Sequence, residues 1–309
     1  MKLKNVIRTC HWEVTKKCNL NCLHCISSVG NKRELNEKSA LNVIDVLRDW
    51  GCKEIYFTGG EPLVRKDMLN ILEKAKENKM KVGLLSNGTL ISNKNIKQIK
   101  NYVDEVGISL DGASAKINDL IRGRRTFGKI INAVNLIKKH KIPITLYITI
   151  CKLNINDFEN ILRVAKSLKI NNIRVNEISL RGRAYKNKKM LRFSKQEKLN
   201  LKGYLFNILK KFDYQDKDFL FYDSCEIDDK NIFISPLGYI YPCIEVYQRK
   251  PGCHLGNILE VNKKEFKFRR DQCIKLKPKN CPYQLTVKND FALCLNNPSV
   301  KCELSLVNL

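Results

Sequence analysis

Three cysteines stand close together near the start of the chain, in the stretch "TKKCNLNCLHC" from Thr15 to Cys25. Three residues separate Cys18 from Cys22, and two separate Cys22 from Cys25. Thiolates are soft ligands that suit zinc or iron–sulfur clusters. A structural zinc site closes with four protein ligands, often from paired Cys-x-x-Cys units. Here a fourth ligand would have to be His24, between two of the cysteines, or Cys10 or His11 on the preceding strand. The other solution is a cluster held by three thiolates with one iron left open.

The whole chain bounds the choice. Its 309 residues include 13 cysteines, an odd number in clustered spacings. No apolar run approaches the ~20 residues of a membrane span. The start, "MKLKNVIRTCHWEV", is too polar for a secretory signal. A cytoplasmic protein is expected, and a reducing cytosol argues against a disulfide scaffold. Metal binding is the better reading of the cysteines. The formal net charge is +26, from 57 Lys plus Arg against 31 Asp plus Glu. That balance permits anionic partners, nucleic acid among them. Most of the excess is lysine spread along helices, where it solubilises. The densest run, "ISLRGRAYKNKKMLRFSKQ" from Ile178 to Gln196, reads as a solvated or substrate-facing loop more than a nucleic-acid site.

The elements that must position the cysteines alternate in type. "IRTCHWEV" is a strand ending near Cys18. "ALNVIDVLRDW" has helical spacing, and "KEIYFT" is a buried strand stopping at Gly59-Gly60. "MLNILEKAKEN", "NKNIKQIKNY", "FGKIINAVNLIKKH" and "DFENILRVAKSL" read as helices. "KVGLLS", "VDEVGISL", "IPITLYITI" and "INNIRVNEI" read as the strands between them. A further helix is expected at "KQEKLNLKGYLFNILKKF". Six βα units imply a parallel sheet, since parallel strands need crossovers. Six rather than eight suggest an incomplete barrel. Ligands then gather at the carboxyl ends of the strands. The unusual sequences fall there: the cysteines, "TGGEP", "SNG", "SLDG", and Cys151 at the end of strand five.

The three-cysteine loop after a first strand resembles the signature of the radical S-adenosylmethionine (radical SAM) superfamily. "TGGEP" is similar to its Gly-Gly-Glu-Pro motif, and "SNGTL" and "ISLDG…RG" follow in the family's order, over roughly Val6 to Ile178. The resemblance implies an α/β fold, a partial (β/α)6 barrel. It implies that Cys18, Cys22 and Cys25 hold a [4Fe–4S] cluster. S-adenosylmethionine would chelate the fourth iron through its amino and carboxylate groups. Its reductive cleavage would yield methionine and a radical that abstracts hydrogen from substrate. Gly59 and Gly60 would let backbone approach a ligand closely, and strand-end carbonyls or Glu61 would receive the methionine ammonium. Asn87, Ser109 and Asp111 are candidates for the ribose or methionine part. Arg122 or Arg124 is the candidate partner of the carboxylate.

After about Leu220 the alternation stops. "NIFISPLGYIYPCIEV" reads as a hairpin with "PLG" at its turn. "CEIDDKNIFISPLGYIYPC" and "HLGNILE" resemble the SPASM or twitch extension of peptide-modifying radical SAM enzymes. The expected division is residues 1–215 for the barrel and 216–309 for a small cysteine-rich domain. That resemblance implies one auxiliary iron–sulfur cluster, or two. Cys225 and Cys243 are its first ligand candidates, with Cys273, Cys281, Cys294 and Cys302 behind them. The tight Cys-x-x-Cys grouping usual beyond that point is missing, and a structural zinc in the tail is the alternative. Cys253 fits no ligand spacing.

Cys10, Cys52 and Cys151 lie outside the motifs, and small buried thiols are common in cores. Cys151, by its position, is a candidate hydrogen donor to a substrate radical. The resulting expectation is a radical SAM enzyme acting on a ribosomally made peptide, by crosslinking or epimerisation. It would take electrons from a donor such as flavodoxin or ferredoxin. One rival substrate is a tetrapyrrole or another small molecule, since haem-biosynthetic relatives share the layout and a "GRA" segment. A rival of another class is a zinc-containing RNA-binding or tRNA-modifying protein.

Overall fold

The computed structural model describes residues 7–26, 33–214, 230–244, 247 and 254–275. Six strands run parallel and lie side by side in chain order: β1 (Thr9–Thr15), β2 (Glu54–Gly59), β3 (Lys81–Ser86), β4 (Glu105–Ser109), β5 (Ile144–Ile150) and β6 (Asn172–Glu177). The crossovers carry α1 (Glu37–Asp49), α2 (Met68–Glu77), α3 (Ile96–Tyr102), the pair α4 (Ala115–Arg122) and α5 (Thr126–Lys139), and α6 (Phe158–Ser167). This is the partial βα barrel that the alternating pattern predicts. The short α4 is an addition to it. Among the described residues no helix is long and apolar enough to cross a membrane.

Period-two patterning decides which face of the sheet is core. Cys10, Trp12 and Val14 of β1, Ile55 and Phe57 of β2, and Leu146, Ile148 and Ile150 of β5 are all fully buried in one apolar cluster with the helices. The alternate residues face the concave side. There the sheet curls far enough for distant strands to feel each other. His11 on β1 is reached by water. Even so, desolvation by surrounding protein and then the charge of Arg174 on β6 lower it to about 4.

The lower part of this lumen is narrowed by rings. His11 stacks on Tyr56 with centroids 4.9 Å apart. A Cβ on Gly83 would run into the Tyr56 ring, and one on Gly107 into the Tyr147 ring and Leu85. Both glycines therefore let a tyrosine lie flat across the neighbouring strand. The gap left among Tyr56, Leu85, Glu105, Thr145 and Tyr147 is about 10 Å³, about the least that admits one water.

Beyond β6 come α7 (Gly182–Lys186), α8 (Lys188–Leu191) and α9 (Lys195–Lys211). A capping box starts α9, with Ser194 and Glu197 bonding each other's backbone. The expected hairpin is present as β7 (Asn231–Ile234) and β8 (Ile240–Tyr241), antiparallel. Gly238 closes its turn at φ 85°, donating to the Ser235 carbonyl at 3.0 Å. β7 also pairs in parallel with β1, from Thr9↔Asn231 to Trp12↔Ile234, so the tail extends the barrel sheet. The last described helix, α10 (Lys263–Lys275), packs back on the barrel through Phe266, which stacks on Trp50 with centroids 4.7 Å apart. Of the tail cysteines, Cys225, Cys281, Cys294 and Cys302 lie outside the described residues, as does Cys253. The backbone of Cys273 lies in α10. Cys243 follows β8, half-buried against Phe233 and Tyr241.

Candidate radical SAM site

β1 ends at Thr15, and the cysteine loop leaves it at the carboxyl edge of the sheet. Two glycines of the next strand hold that departure. A Cβ on Gly59 would collide with the Thr15 carbonyl oxygen, and one on Gly60 with the Lys17 carbonyl oxygen. In their place Gly60 N donates to Thr15 O at 2.8 Å, and Glu61 N to Lys17 O at 2.9 Å. The close approach that these glycines permit is to the cysteine loop itself. On its other flank the loop is tied to Glu34, which accepts from the Thr15 hydroxyl and, at 2.8 Å, from Lys17 Nζ.

Glu61 is fully buried and works as a brace. One oxygen accepts from Asn87 N at 2.7 Å, the other from Ser86 Oγ at 2.9 Å and Leu63 N at 3.2 Å. Burial pushes its carboxyl up to about 7 against those bonds. Pro62 then opens a short 3-10 turn capped by the Glu61 side chain. The Asn87 side chain points at the loop. Its Nδ2 donates to Asn19 Oδ1 at 2.9 Å, and Asn19 Nδ2 donates to Thr89 Oγ1 at 2.8 Å. Spacing gave Asn19 no role, because it shares no motif with Asn87.

Asp111 is the hub at the end of β4. It is fully buried. Its Oδ2 lies 2.5 Å from His24 Nε2 and 2.6 Å from Arg122 Nε, and its Oδ1 accepts from Thr149 N at 2.7 Å. Burial pushes its carboxyl up, but Arg122 and His24 outweigh that and hold it at about 2. Three candidates thus separate. Arg122 is buried against Asp111. Arg124 is exposed beyond α4, away from the hub. Ser109 ends β4 half-buried, its hydroxyl unbonded among the described residues. Cys151 is fully buried in a small apolar cluster with Ile121, Ile178, Ala184 and Leu191, and burial raises its thiol to about 11.

The three loop thiols differ in exposure: Cys18 is exposed, Cys22 buried and Cys25 half-buried. Burial raises Cys18 and Cys22, the latter to about 11, and all three sit close enough for their charges to interact. Yet among the described residues no three His, Cys, Asp or Glu side chains converge on one ion-sized point. The zinc alternative also loses its fourth ligand. His24 is engaged with Asp111. Cys10 points into the core behind the sheet, and His11 is stacked on Tyr56.

A model of the radical SAM superfamily matches residues 12–165. The chain carries a radical SAM domain. The matched span runs from β1 into α6 and includes every loop just described. The superfamily's cofactors are a [4Fe–4S] cluster and S-adenosylmethionine, and the all-sulfur donor set of the loop fits that cluster. Fe-coproporphyrin III synthase of Methanosarcina barkeri is 32% identical over 180 residues, covering 57% of this chain and 45% of that protein. Mycofactocin maturase MftC of Mycolicibacterium smegmatis is 37% identical over 127 residues, covering 40% of this chain and 32% of that one. The chain spans about half the length, or less, of the curated relatives it matches. Among solved structures, SuiB of Streptococcus suis bound to S-adenosylmethionine superposes with a TM-score of 0.71 at 17% identity, over 96% of this chain and 72% of that one. The enzyme anSMEcpe with bound AdoMet gives 0.69 at 20% identity, over 87% and 83%. At such identities the structures establish a shared fold.

The radical SAM loop is held by one more element, inside the run that charge patterning reads as a solvated or substrate-facing loop. Arg183 Nη1 donates to Cys22 O at 3.0 Å, Ala184 N to Cys25 O at 3.1 Å, and Asn187 Nδ2 to Leu23 O at 3.1 Å. The "GRAYKN" segment therefore clasps the cysteine loop from its own short helix.

Proposed function

We propose that the chain is a radical SAM enzyme whose substrate is a ribosomally made peptide, crosslinked or epimerised at hydrogen-bearing carbon. The observation that carries the enzymatic part is the cysteine loop. It is fastened on four sides, by the glycine turn after β2, the Asn87 turn after β3, the Asp111 hub after β4 and α7. Such fastening pre-organises ligands before a cofactor binds. Cys18, Cys22 and Cys25 would hold the cluster, and Arg122 is the cation available to a methionine carboxylate. When bound, the cluster and S-adenosylmethionine supply hydrogen-atom abstraction.

The chain's own residues do the rest. Asp111 fixes the Arg122 side chain, Glu61 fixes the turns of β2 and β3, and the tyrosine rings narrow the lumen below them. Support for a peptide comes from the likeness to mycofactocin maturase MftC and to SuiB, which was crystallised with its precursor peptide SuiA. Cys243, with Cys225 and other tail cysteines, is our candidate ligand set for an auxiliary cluster. Iron beyond one [4Fe–4S] cluster per chain would show it. A reducing compartment, the cytoplasm, suits so many thiols.

The test is anaerobic reconstitution with iron and sulfide, then dithionite and S-adenosylmethionine. The expected result is a brown protein that forms 5′-deoxyadenosine, with Cys22→Ala forming none. A colourless protein that forms none overturns the reading. Mass spectrometry of a co-expressed short peptide then separates crosslinking, which removes a pair of hydrogens, from epimerisation, which leaves the mass unchanged. A second reading, a tetrapyrrole substrate, is favoured by the likeness to Fe-coproporphyrin III synthase and to AdoMet-dependent haem synthases. Turnover of an iron porphyrin with no change in any peptide would establish it.

A further inference from the structure

Arg174 stands in the middle of β6. Its neighbours Ile173 and Val175 are buried in the core behind the sheet, so its own side chain is on the concave face. There it is half-buried, and it makes no hydrogen bond or ion pair among the described residues. That sets it apart from the other arginines drawn off the surface. Arg65 is held by Asp67, Arg122 by Asp111, Arg183 by the Cys22 carbonyl, Arg269 by Glu265 and Arg270 by Asp271. Arg181 has a partner too.

A charge drawn partly out of water is costly without a counter-charge. The acids that share the concave face do not supply one. Glu54 pairs with Arg8 at 3.7 Å, Glu105 with Lys81 at 3.9 Å, and Glu13 accepts from the Tyr247 hydroxyl. Nor does a ring cover the guanidinium. Tyr147 is its register partner on β5, but that ring leans the other way, over Gly107 of β4. The charge of Arg174 instead reaches across the lumen to His11 of β1. Burial and that charge hold His11 at about 4, so it is neutral at pH 7 and adds no second cation. Asn176, two positions on along the same face, is half-buried and its side chain is also unbonded among the described residues.

We propose that Arg174 anchors the substrate: with Asn176 beside it, its guanidinium fork takes a carboxylate of the substrate inside the lumen. This rests on the radical SAM reading above and narrows the substrate to one that bears a carboxylate. The planar fork matches a carboxylate with paired hydrogen bonds. A single uncommitted charge also answers a single carboxylate. A phosphate brings more charge and more acceptor oxygens than this wall provides for. Position selects the substrate over S-adenosylmethionine. The cysteine loop and Arg122 stand beyond the strand ends, whereas Arg174 lies three residues before the end of β6, within reach of His11 in mid-strand. The same contact serves an acidic group of a peptide or a propionate of a tetrapyrrole.

The test titrates the reconstituted full chain by calorimetry with two pairs of probes. One pair is a short amidated peptide bearing a glutamate and the same peptide with glutamine. The other is a porphyrin with free propionates and its methyl ester. In one pair the carboxylate form should bind about tenfold or more tighter than its neutral form. The pair that shows the preference names the source of the carboxylate. Arg174→Met should erase the preference and leave the neutral form's affinity as it was. Arg174→Lys should restore part of it, as a point charge without the fork. The ring proton of His11, one of four histidines, gives a second readout by NMR. In Arg174→Met its pKa should rise from about 4, yet stay under the ordinary 6.5 because burial is the larger cause. Affinity for S-adenosylmethionine should be the same in all three proteins. No carboxylate preference in either pair, or one that survives Arg174→Met, overturns the anchor. So does a His11 pKa that does not move, or a loss of S-adenosylmethionine affinity in Arg174→Met, which would hand the residue to the cofactor. An unchanged chain that forms no 5′-deoxyadenosine overturns the enzyme reading instead, and the titrations then decide the carboxylate site by themselves.

Discussion

Asp111 concentrates the site's electrostatics in one side chain. A fully buried carboxylate is costly unless paired and hydrogen-bonded, and here Arg122, His24 and the Thr149 amide supply the pairing. Asp111→Asn would strand Arg122, which is 6% exposed. We expect a loss of about 3–5 kcal/mol, read as a lower urea midpoint. The pH dependence follows from the direction of the shift. The folded carboxyl lies at about 2, below its ordinary 3.8. Its contribution is therefore complete above about pH 4 and is lost as the pH falls toward about 2. The variant should lose less stability than the unchanged protein across that window. Sequence spacing made Cys18, Cys22 and Cys25 ligand candidates because they lie within eight residues of one another. It could not pair His24 with Asp111, which stand 87 positions apart.

At the scale of elements, the chain repeats one way of ending a helix. After α2, α5 and α6 a lysine takes the left-handed conformation: Lys79 at φ 59°, Lys141 at 56° and Lys169 at 52°. The next residue in each case donates back to the helix, Met80 to Ala75 O, Ile142 to Ile137 O and Ile170 to Ala165 O. This is the Schellman closure, usually given to glycine. Lys141→Gly or Lys169→Gly should raise stability by about 0.5–1 kcal/mol, seen as a melting temperature higher by about 2 °C. Gly60→Ala should act in the opposite sense, because the Lys17 carbonyl occupies the space a methyl needs. Far-UV circular dichroism should be kept, while iron bound after reconstitution falls to a small fraction. Periodicity made β1 to β6 and the longer crossover helices legible. It missed α4, whose buried face includes Asn118 and Arg122 as well as Ile121. It also missed α7 and α8, which have too few residues to show a period.

Over the whole molecule, the tail and the barrel share one sheet. The pairing of β7 with β1 joins residues more than two hundred positions apart, a distance across which no local pattern carries information. The hairpin was legible from its turn; its place on the barrel edge was not. Tyr247 adds a second tie, its hydroxyl donating to the buried Glu13 carboxylate of β1 at 2.5 Å. The net charge was legible as a number, but which cations meet an acid, as Lys76 meets Asp104 and Lys198 meets Glu177, was not. The ring floor of the lumen has a consequence of its own. With Tyr56 and Tyr147 laid over Gly83 and Gly107, the barrel is a funnel that tapers to a gap of about 10 Å³. Large-to-small changes at the two tyrosines would widen that neck toward a second mouth at the amino ends of the strands.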